Sequence, residues 1–454
     1  MYKHLDTNII LLDHNNLTAV AEPGTVVVLS ETVIDELDSK KSVLGEIGYQ
    51  ARAFGRLLAK SEKLSTEQQG PLTVTKFKVD NTEVQIASCS NYPNFDDTNS
   101  SIINDRKIIH VAEMYHRGGE PTTFMSNDVM ARLRAESVGL STAELQTVDK
   151  VDFQFTKTLD LPFDIFSSCH DKPVALIDPD YLPENYNYLL TSPDTAQVKL
   201  ATVTNGSVNV LGSTTERELR QQDISPMNSG QLFLARAIQD KTVDVVVVDA
   251  KAGSGKTISA LSNAIKVMRK DSSYESLIYI RNTVDDYGAK DEEVGFLSGN
   301  DEKMAIYLGP FYDTIHSIVR ARLSNSKEKG KALVERIEAE SQILIDKHNM
   351  QPIPALGLRG RTFDNAIIII DEAQNFSNAT MVKVLSRVGK NCKVIITGSL
   401  KQIDSAYITK HTSALSVLLN AASKVHEDIK MHAVTLDKVL RGPVTEWAEK
   451  VFTK

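Results

Sequence analysis

Two uninterrupted apolar runs dominate the hydrophobic pattern of this chain: Val245–Val248, and Ile367–Ile370 within Phe363–Gln374. A β-branched run without polar alternation predicts a strand buried on both faces, the arrangement of a parallel sheet covered by helices. The first run passes through a small-residue turn into Ile258-Ser-Ala-Leu-Ser-Asn-Ala-Ile265, whose spacing predicts a helix. Leu277–Arg281 reads as a further strand, Leu232–Gln239 as a helix and Val394–Gln402 as the last core strand.

The first 150 residues alternate in the same way. A very short first strand carries Asp6 at its end, and Thr25–Leu29 is the next. Glu31–Asp38 starts a helix, and Ile47–Lys60 is another with Ala51, Phe54, Leu57 and Leu58 on one face. After a strand at Leu72–Val79 and a polar stretch, Asn104–Ala112 opens a helix; Thr122–Asp128 ends a strand and Val129–Glu136 is helical. From 151 to 225 Pro, Asn, Tyr, Thr and Ser become frequent, and Val198–Val203 and Ser207–Leu211 flank Asn205-Gly206, a hairpin signal. The expected class is α/β: an N-terminal α/β domain with a parallel sheet (1–150), a linker with a small β module (151–225), and a C-terminal domain (226–454).

With 454 residues, two or three domains are expected. Three scattered cysteines without C-x-x-C spacing indicate neither a disulfide framework nor a thiolate zinc site, which fits a reducing cytoplasm. The start lacks a basic-then-apolar leader and no run approaches the ~20 apolar residues of a membrane span, so a soluble, non-exported protein is expected. Net charge is −8, with 15 Lys+Arg against 21 Asp+Glu in residues 1–150. That balance argues against a protein coating nucleic acid by bulk charge, and leaves room for a narrow basic channel.

The turn after Val248 carries the first chemistry. Ala250, Gly255, Lys256 and Thr257 fit the phosphate-loop pattern, with alanine in place of its first glycine. Backbone N–H groups of the loop must turn inward around a triphosphate, so side chains there have to be absent or small, and Ala252, Gly253 and Ser254 comply; Ala250 and Lys251, which lead into them, are counted with the nucleotide-binding residues. Lys256 would reach the β- and γ-phosphates of ATP, Thr257 would ligate Mg²⁺, and the helix N-terminus adds its dipole. The alternative is a Gly-rich turn that holds nothing.

The second run ends in Asp371-Glu372. In a P-loop ATPase the aspartate holds Mg²⁺ through water and the glutamate orients or deprotonates the attacking water. Two acids after a strand also suit an ordinary helix start. Gln231, at a helix start, can donate to and accept from an adenine edge. Thr397 and Gln402 stand where a γ-phosphate sensor would, Arg441 is a candidate arginine finger, and Arg359 and Arg361 are candidate phosphate ligands. Lys327–Lys331 reads as a solvated helix face.

In the front half, Asp6, Glu36, Asp105 and Asp128 fall at strand ends or on helices. Brought together they could not all ionise without a cation, so the cluster implies Mg²⁺ or Mn²⁺, able to activate water in phosphodiester hydrolysis. Each acid taken alone is equally a solvated cap. Asp35 and Asp38 flank Glu36 and leave the second ligand open.

Asp6-Thr-Asn8, Val33-Ile-Asp-Glu-Leu-Asp38, Asn104-Asp105 and Ser126-Asn-Asp128 resemble, in order and span, the PIN domain family of metal-dependent ribonucleases. The resemblance implies an acidic site of Asp6, Glu36, Asp105 and Asp128 supported by Asn8 and Ser126. From 226 onward, Gln231, Gly255-Lys-Thr257, Arg281, Gly295-Phe-Leu297, Arg359-Gly-Arg361, Asp371-Glu-Ala-Gln374, Thr397-Gly398 and Gln402 resemble the PhoH-type ATPases, with a RecA-like core similar to superfamily 1 helicases. Two departures are Ser399, where that family has aspartate, and Asn282, where it has proline. The fused architecture implies an ATP-dependent helicase or translocase on single-stranded RNA with endoribonuclease activity, assembled as a homo-oligomer, a ring of six. The contrasting reading is a nucleotide switch or assembly ATPase whose PIN fold only binds RNA. A metabolic kinase is disfavoured by Glu372, which it would not need.

Overall fold

The computed structural model describes residues 1–43, 46–95, 99–146, 153–169, 174–175, 183–204, 207–282, 300–358, 360–405, 407–440, 447 and 451. The chain divides into two compact units. One comprises Met1–Asp149, Ser377–Thr380 and Ser405–Thr412; the other comprises Lys150–Phe376, Met381–Asp404 and Ser413–Lys454.

The first unit is built on a sheet ordered Glu62–Gln69, Leu72–Val79, Thr82–Cys89, Val26–Ser30, Tyr2–Leu5, Thr122–Met125, Ser141–Ala143. Its first three strands form an antiparallel meander; the rest pair in parallel. The expected parallel sheet therefore carries an antiparallel edge. The polar pattern hid it, because Glu62–Gln69 is exposed along almost its whole length and has no buried face to betray a period of two. The helix bearing Asp105 runs Ser100–Arg117, starting before Asn104 on an Asn99 side-chain cap.

In the second unit six parallel strands run Met350–Pro354, Ser276–Arg281, Ala366–Asp371, Lys393–Gly398, Val245–Ala250, Met431–Leu436. The last core strand is thus Met431–Leu436, not Val394–Gln402; a single His-containing run of six gave little periodicity to find. Val246, Val248, Ile367 and Ile369 pack with the helices Ser229–Gln239 and Lys256–Lys270 on one face. Val247, Ile368, Ile370 and Ile396 pack on the other. Both faces are covered, which is why these strands read as continuous apolar runs.

Residues of the 151–225 region contribute Thr156–Asp160, Asn187–Ser192, Thr195–Thr204, Ser207–Val210 and Val174–Ala175 to a further sheet. Phe155, Tyr188 and Val203 from this region share a core with Ile396 and Ala433 of the parallel sheet. Thr204 pairs with Ser207 as a hairpin; the Asn205-Gly206 turn itself lies outside the described residues. Lys327–Gly330 is exposed loop ahead of the helix Lys331–Lys347, rather than part of it, since the Gly330 φ of 60° lies outside the helical region. Among the described residues no helix is long and apolar enough to cross a membrane.

Candidate functional site

At the C-terminal ends of the parallel strands a cavity of about 690 Å³ is lined by Gly255, Lys256, Thr257, Arg281, Asp371 and Glu372, among others. A parallel sheet presents its ligands at this edge. Gly253 and Gly255 take φ of 70° and 81°, conformations that a side chain would strain, so the loop can wrap inward only with glycine there. Ala250 is buried. The Lys251 N–H is committed to the Leu436 carbonyl, which leaves Ala252 and the residues after it to form the loop's inner wall.

Lys256 Nζ lies 2.8 Å from a carboxylate oxygen of Glu372. Burial opposes ionisation of Glu372, but the Lys256 charge and hydrogen bond, the Gln374 amide and Arg281 outweigh it and hold the carboxyl below its ordinary value. Asp371 is almost fully buried and collects hydroxyls: Tyr279 Oη donates to its Oδ2 at 2.6 Å and Thr397 Oγ1 to its Oδ1 at 2.6 Å. Thr257 Oγ1 stands 3.1 and 3.3 Å from the same two oxygens. Burial, reinforced by the Asp371 charge, raises the Tyr279 phenol well above its ordinary value, so it remains a donor.

Gln374 is a junction. Its Nε2 donates to Glu372 at 2.6 Å and to the Gln402 carbonyl at 2.8 Å, while its Oε1 accepts from the Ser399 N–H at 3.0 Å. The Gln402 side chain is exposed, so it is the backbone of that residue, not its amide, that meets the site. Asn282, in the place of a proline, donates to the Asn375 carbonyl at 2.8 Å. Gln231 does not offer its amide to an adenine edge. It is buried, its Oε1 accepts from the Met227 N–H at 2.8 Å and its Nε2 donates to the Ser254 carbonyl at 3.0 Å, so one end braces the segment ahead of its own helix and the other the phosphate loop. Arg361 Nη2 donates to Gln351 at 2.9 Å and its guanidinium lies over Phe363, whereas Arg359, Gly295–Leu297 and Arg441 lie outside the described residues.

ATP with Mg²⁺ fits this cradle. The Ser254 hydroxyl is buried with no hydrogen-bond partner, and Lys256, Thr257 and Asp371 present the cation and hard oxygens that a metal triphosphate requires.

The front-half acids converge only in part. Asp6 caps the helix Thr7–Leu12, accepting from the Thr7 N–H at 2.7 Å, from Asn8 at 2.7 Å and from Ser126 at 2.6 Å. Burial, aided by the charges of Asp105 and Glu36 and opposed by the Ser126 and Thr7 hydrogen bonds, pushes its carboxyl up to about 7. Glu36 accepts from Thr7 at 2.6 Å and Asn104 at 2.9 Å. Asp105 is raised to about 6 by burial and by the Asp128 and Glu36 charges, although Arg134, at 2.6 Å, pulls the other way. Asp128 is exposed and caps the helix Val129–Ser137 through the Met130 N–H.

Oxygen donors suit Mg²⁺ or Mn²⁺. Yet among the described residues no group of three or more His, Cys, Asp or Glu side chains is arranged to hold a metal ion, and Asp105 is spent on Arg134. As arranged, this site does not fit one. Tyr279 and Arg134 escaped the sequence reading. Tyr279 shares a strand face with Arg281 two residues on, a weak period-two signal; an arginine on a polar helix has none.

Residues 223–453 match the family described as PhoH-like protein, and residues 5–146 match the PIN domain. Over nearly its whole length the chain is similar to "Protein PhoH2" of Bacillus subtilis, 25% identical with 91% of this chain and 92% of that one covered. It is also similar to "Protein PhoH2" of Thermobispora bispora, 23% identical with 97% and 94% covered. "Protein PhoH" of Escherichia coli is 32% identical over 204 residues, 44% of this chain and 50% of that one. With the phosphate loop and acidic strand meeting in one cavity, the chain belongs to the PhoH-like protein family, a P-loop ATPase carrying a PIN domain ahead of it.

Proposed function

We propose that this chain is an ATP-driven helicase or translocase on single-stranded RNA, coupled to endoribonucleolytic cleavage by its PIN domain. The observation that carries the motor reading is Gln374, whose one amide touches the proposed base Glu372, the Gln402 carbonyl and the Ser399 N–H. When a γ-phosphate claims Lys256, Glu372 loses its cation, regains basicity and can take a proton from water. That change reaches the Gly398–Gln402 turn through Gln374, giving hydrolysis a mechanical output. Thr257 and Asp371 would hold Mg²⁺, whose charge would offset that of the triphosphate.

Cleavage is assigned to Asp6, Glu36, Asp105 and Asp128. The support is the PIN match together with the charges of Asp105 and Glu36 acting on Asp6, and those of Asp128 and Glu36 acting on Asp105. The same reading expects a ring of six copies working in the cytoplasm.

ATP hydrolysis measured with and without single-stranded RNA and DNA tests the motor. Stimulation by RNA, with displacement of a paired strand, is expected. A rate indifferent to RNA favours the alternative, a nucleotide switch whose PIN domain binds RNA without cutting it.

A further inference from the structure

Tyr279 lies on the strand Ser276–Arg281, which pairs in parallel with Ala366–Asp371 so that Tyr279 stands opposite Ile369 and Arg281 opposite Asp371. Side chains two apart share a face, and two residues of strand advance about 6.6 Å, so a long side chain rooted at 279 can reach forward to the level of 371. The Tyr279 ring is fully buried and held against Phe311, with centroids 5.3 Å apart, and its hydroxyl ends on Asp371 Oδ2 at 2.6 Å.

The other carboxylate oxygen is fixed by Thr397 at 2.6 Å. One donor on each oxygen, both from the body of the sheet, removes the carboxylate's freedom to turn. Its remaining lone pairs are left toward Thr257, whose hydroxyl approaches from the phosphate loop at 3.1 Å. A phenylalanine here would fill the core with the same ring and keep the contact with Phe311. The hydroxyl is the part that packing does not require.

We propose that Tyr279 is a positioning residue for ATP turnover: its phenol holds the Asp371 carboxylate in the orientation that meets Mg²⁺ on ATP. This rests on the ATPase reading of the cavity. Tyr279→Phe keeps the ring and its contact with Phe311 and removes only the hydrogen bond to a charged acceptor, one of the stronger kinds. Two measurements on the full-length chain test it: the Mg²⁺ concentration giving half-maximal ATP hydrolysis, and the binding of a fluorescent ATP analogue with Mg²⁺ or with EDTA.

In Tyr279→Phe the half-maximal Mg²⁺ concentration is expected to rise about tenfold, and the tightening of analogue binding by Mg²⁺ to shrink correspondingly. Binding in EDTA should stay as in the wild type. A variant whose Mg²⁺ requirement matches the wild type, whether or not its maximal rate falls, overturns the proposal while leaving the ATPase intact. Wild-type protein that shows no Mg²⁺-dependent hydrolysis removes the proposal and its underlying reading together.

Discussion

The ammonium of Lys256 and the carboxylate of Glu372 hold each other at 2.8 Å, and in the proposed mechanism a phosphate that takes the cation also frees the carboxylate to act as base. Under that proposal binding and activation are one event. Against the opposition of burial, the Lys256 charge and hydrogen bond, with Gln374 and Arg281, hold the Glu372 carboxyl below its ordinary value.

Lys256→Ala is expected to abolish ATP hydrolysis. Glu372→Gln should retain nucleotide binding and lose on the order of 100-fold or more in turnover, because the proton acceptor is gone while the loop is untouched. Phosphate release and analogue binding measured side by side separate the two variants; a Glu372→Gln enzyme turning over at the wild-type rate would remove the base assignment.

Gln374→Ala removes the joint between Glu372 and the turn after Lys393–Gly398. Basal hydrolysis should drop modestly, whereas stimulation by single-stranded RNA should disappear. Gly398→Ala approaches the same joint by crowding it, since an added Cβ would sit 2.6 Å from the Gln374 side-chain oxygen and 2.7 Å from Leu415. It should weaken both stimulation and stability. Retention of full RNA stimulation by both variants would count against a mechanical role for Gln374.

Asp6→Asn is expected to eliminate RNA cleavage and to leave ATP hydrolysis near wild type, because Asp6 lies in the other compact unit. Gel analysis of RNA fragments checks it. Cleavage at an undiminished rate would mean that the cutting site lies elsewhere.

His432 is buried in the second unit, with a ring nitrogen 2.8 Å from Asn187 Oδ1, and burial lowers it to about 4. The folded chain therefore keeps this ring neutral where the unfolded chain, near 6.5, takes a proton. Its contribution is present above pH 6.5 and is lost as pH falls toward 4, by roughly 3 kcal/mol in all. Denaturant unfolding at pH 7 and pH 5 should show wild type losing more stability than His432→Gln; equal losses would mean that this ring is not the proton acceptor.

How far the chain could be read without its fold depended on whether the chemistry was local. The phosphate loop, the strand before it and the helix after it are contiguous, as are the four isoleucines and the two acids that follow them, so period and turn chemistry suffice to find them. The antiparallel edge at Glu62–Gln69 carries no such pattern, being polar on both faces. Gln231 and Gln402 were located as residues, but their use could not be seen in one dimension. Whether an amide faces a ligand or braces a loop depends on partners up to 28 residues away.

Only tertiary structure brought Tyr279 onto Asp371 across 92 residues of chain, and Arg134 onto Asp105 across 29. Spacing, small residues and apolar runs are imposed by the backbone's own geometry and are therefore written along the chain. The orientation of a buried carboxylate, and the cation that claims another, are set by which strands and helices become neighbours. That choice is made by the packing of the whole unit and leaves no repeat in the sequence.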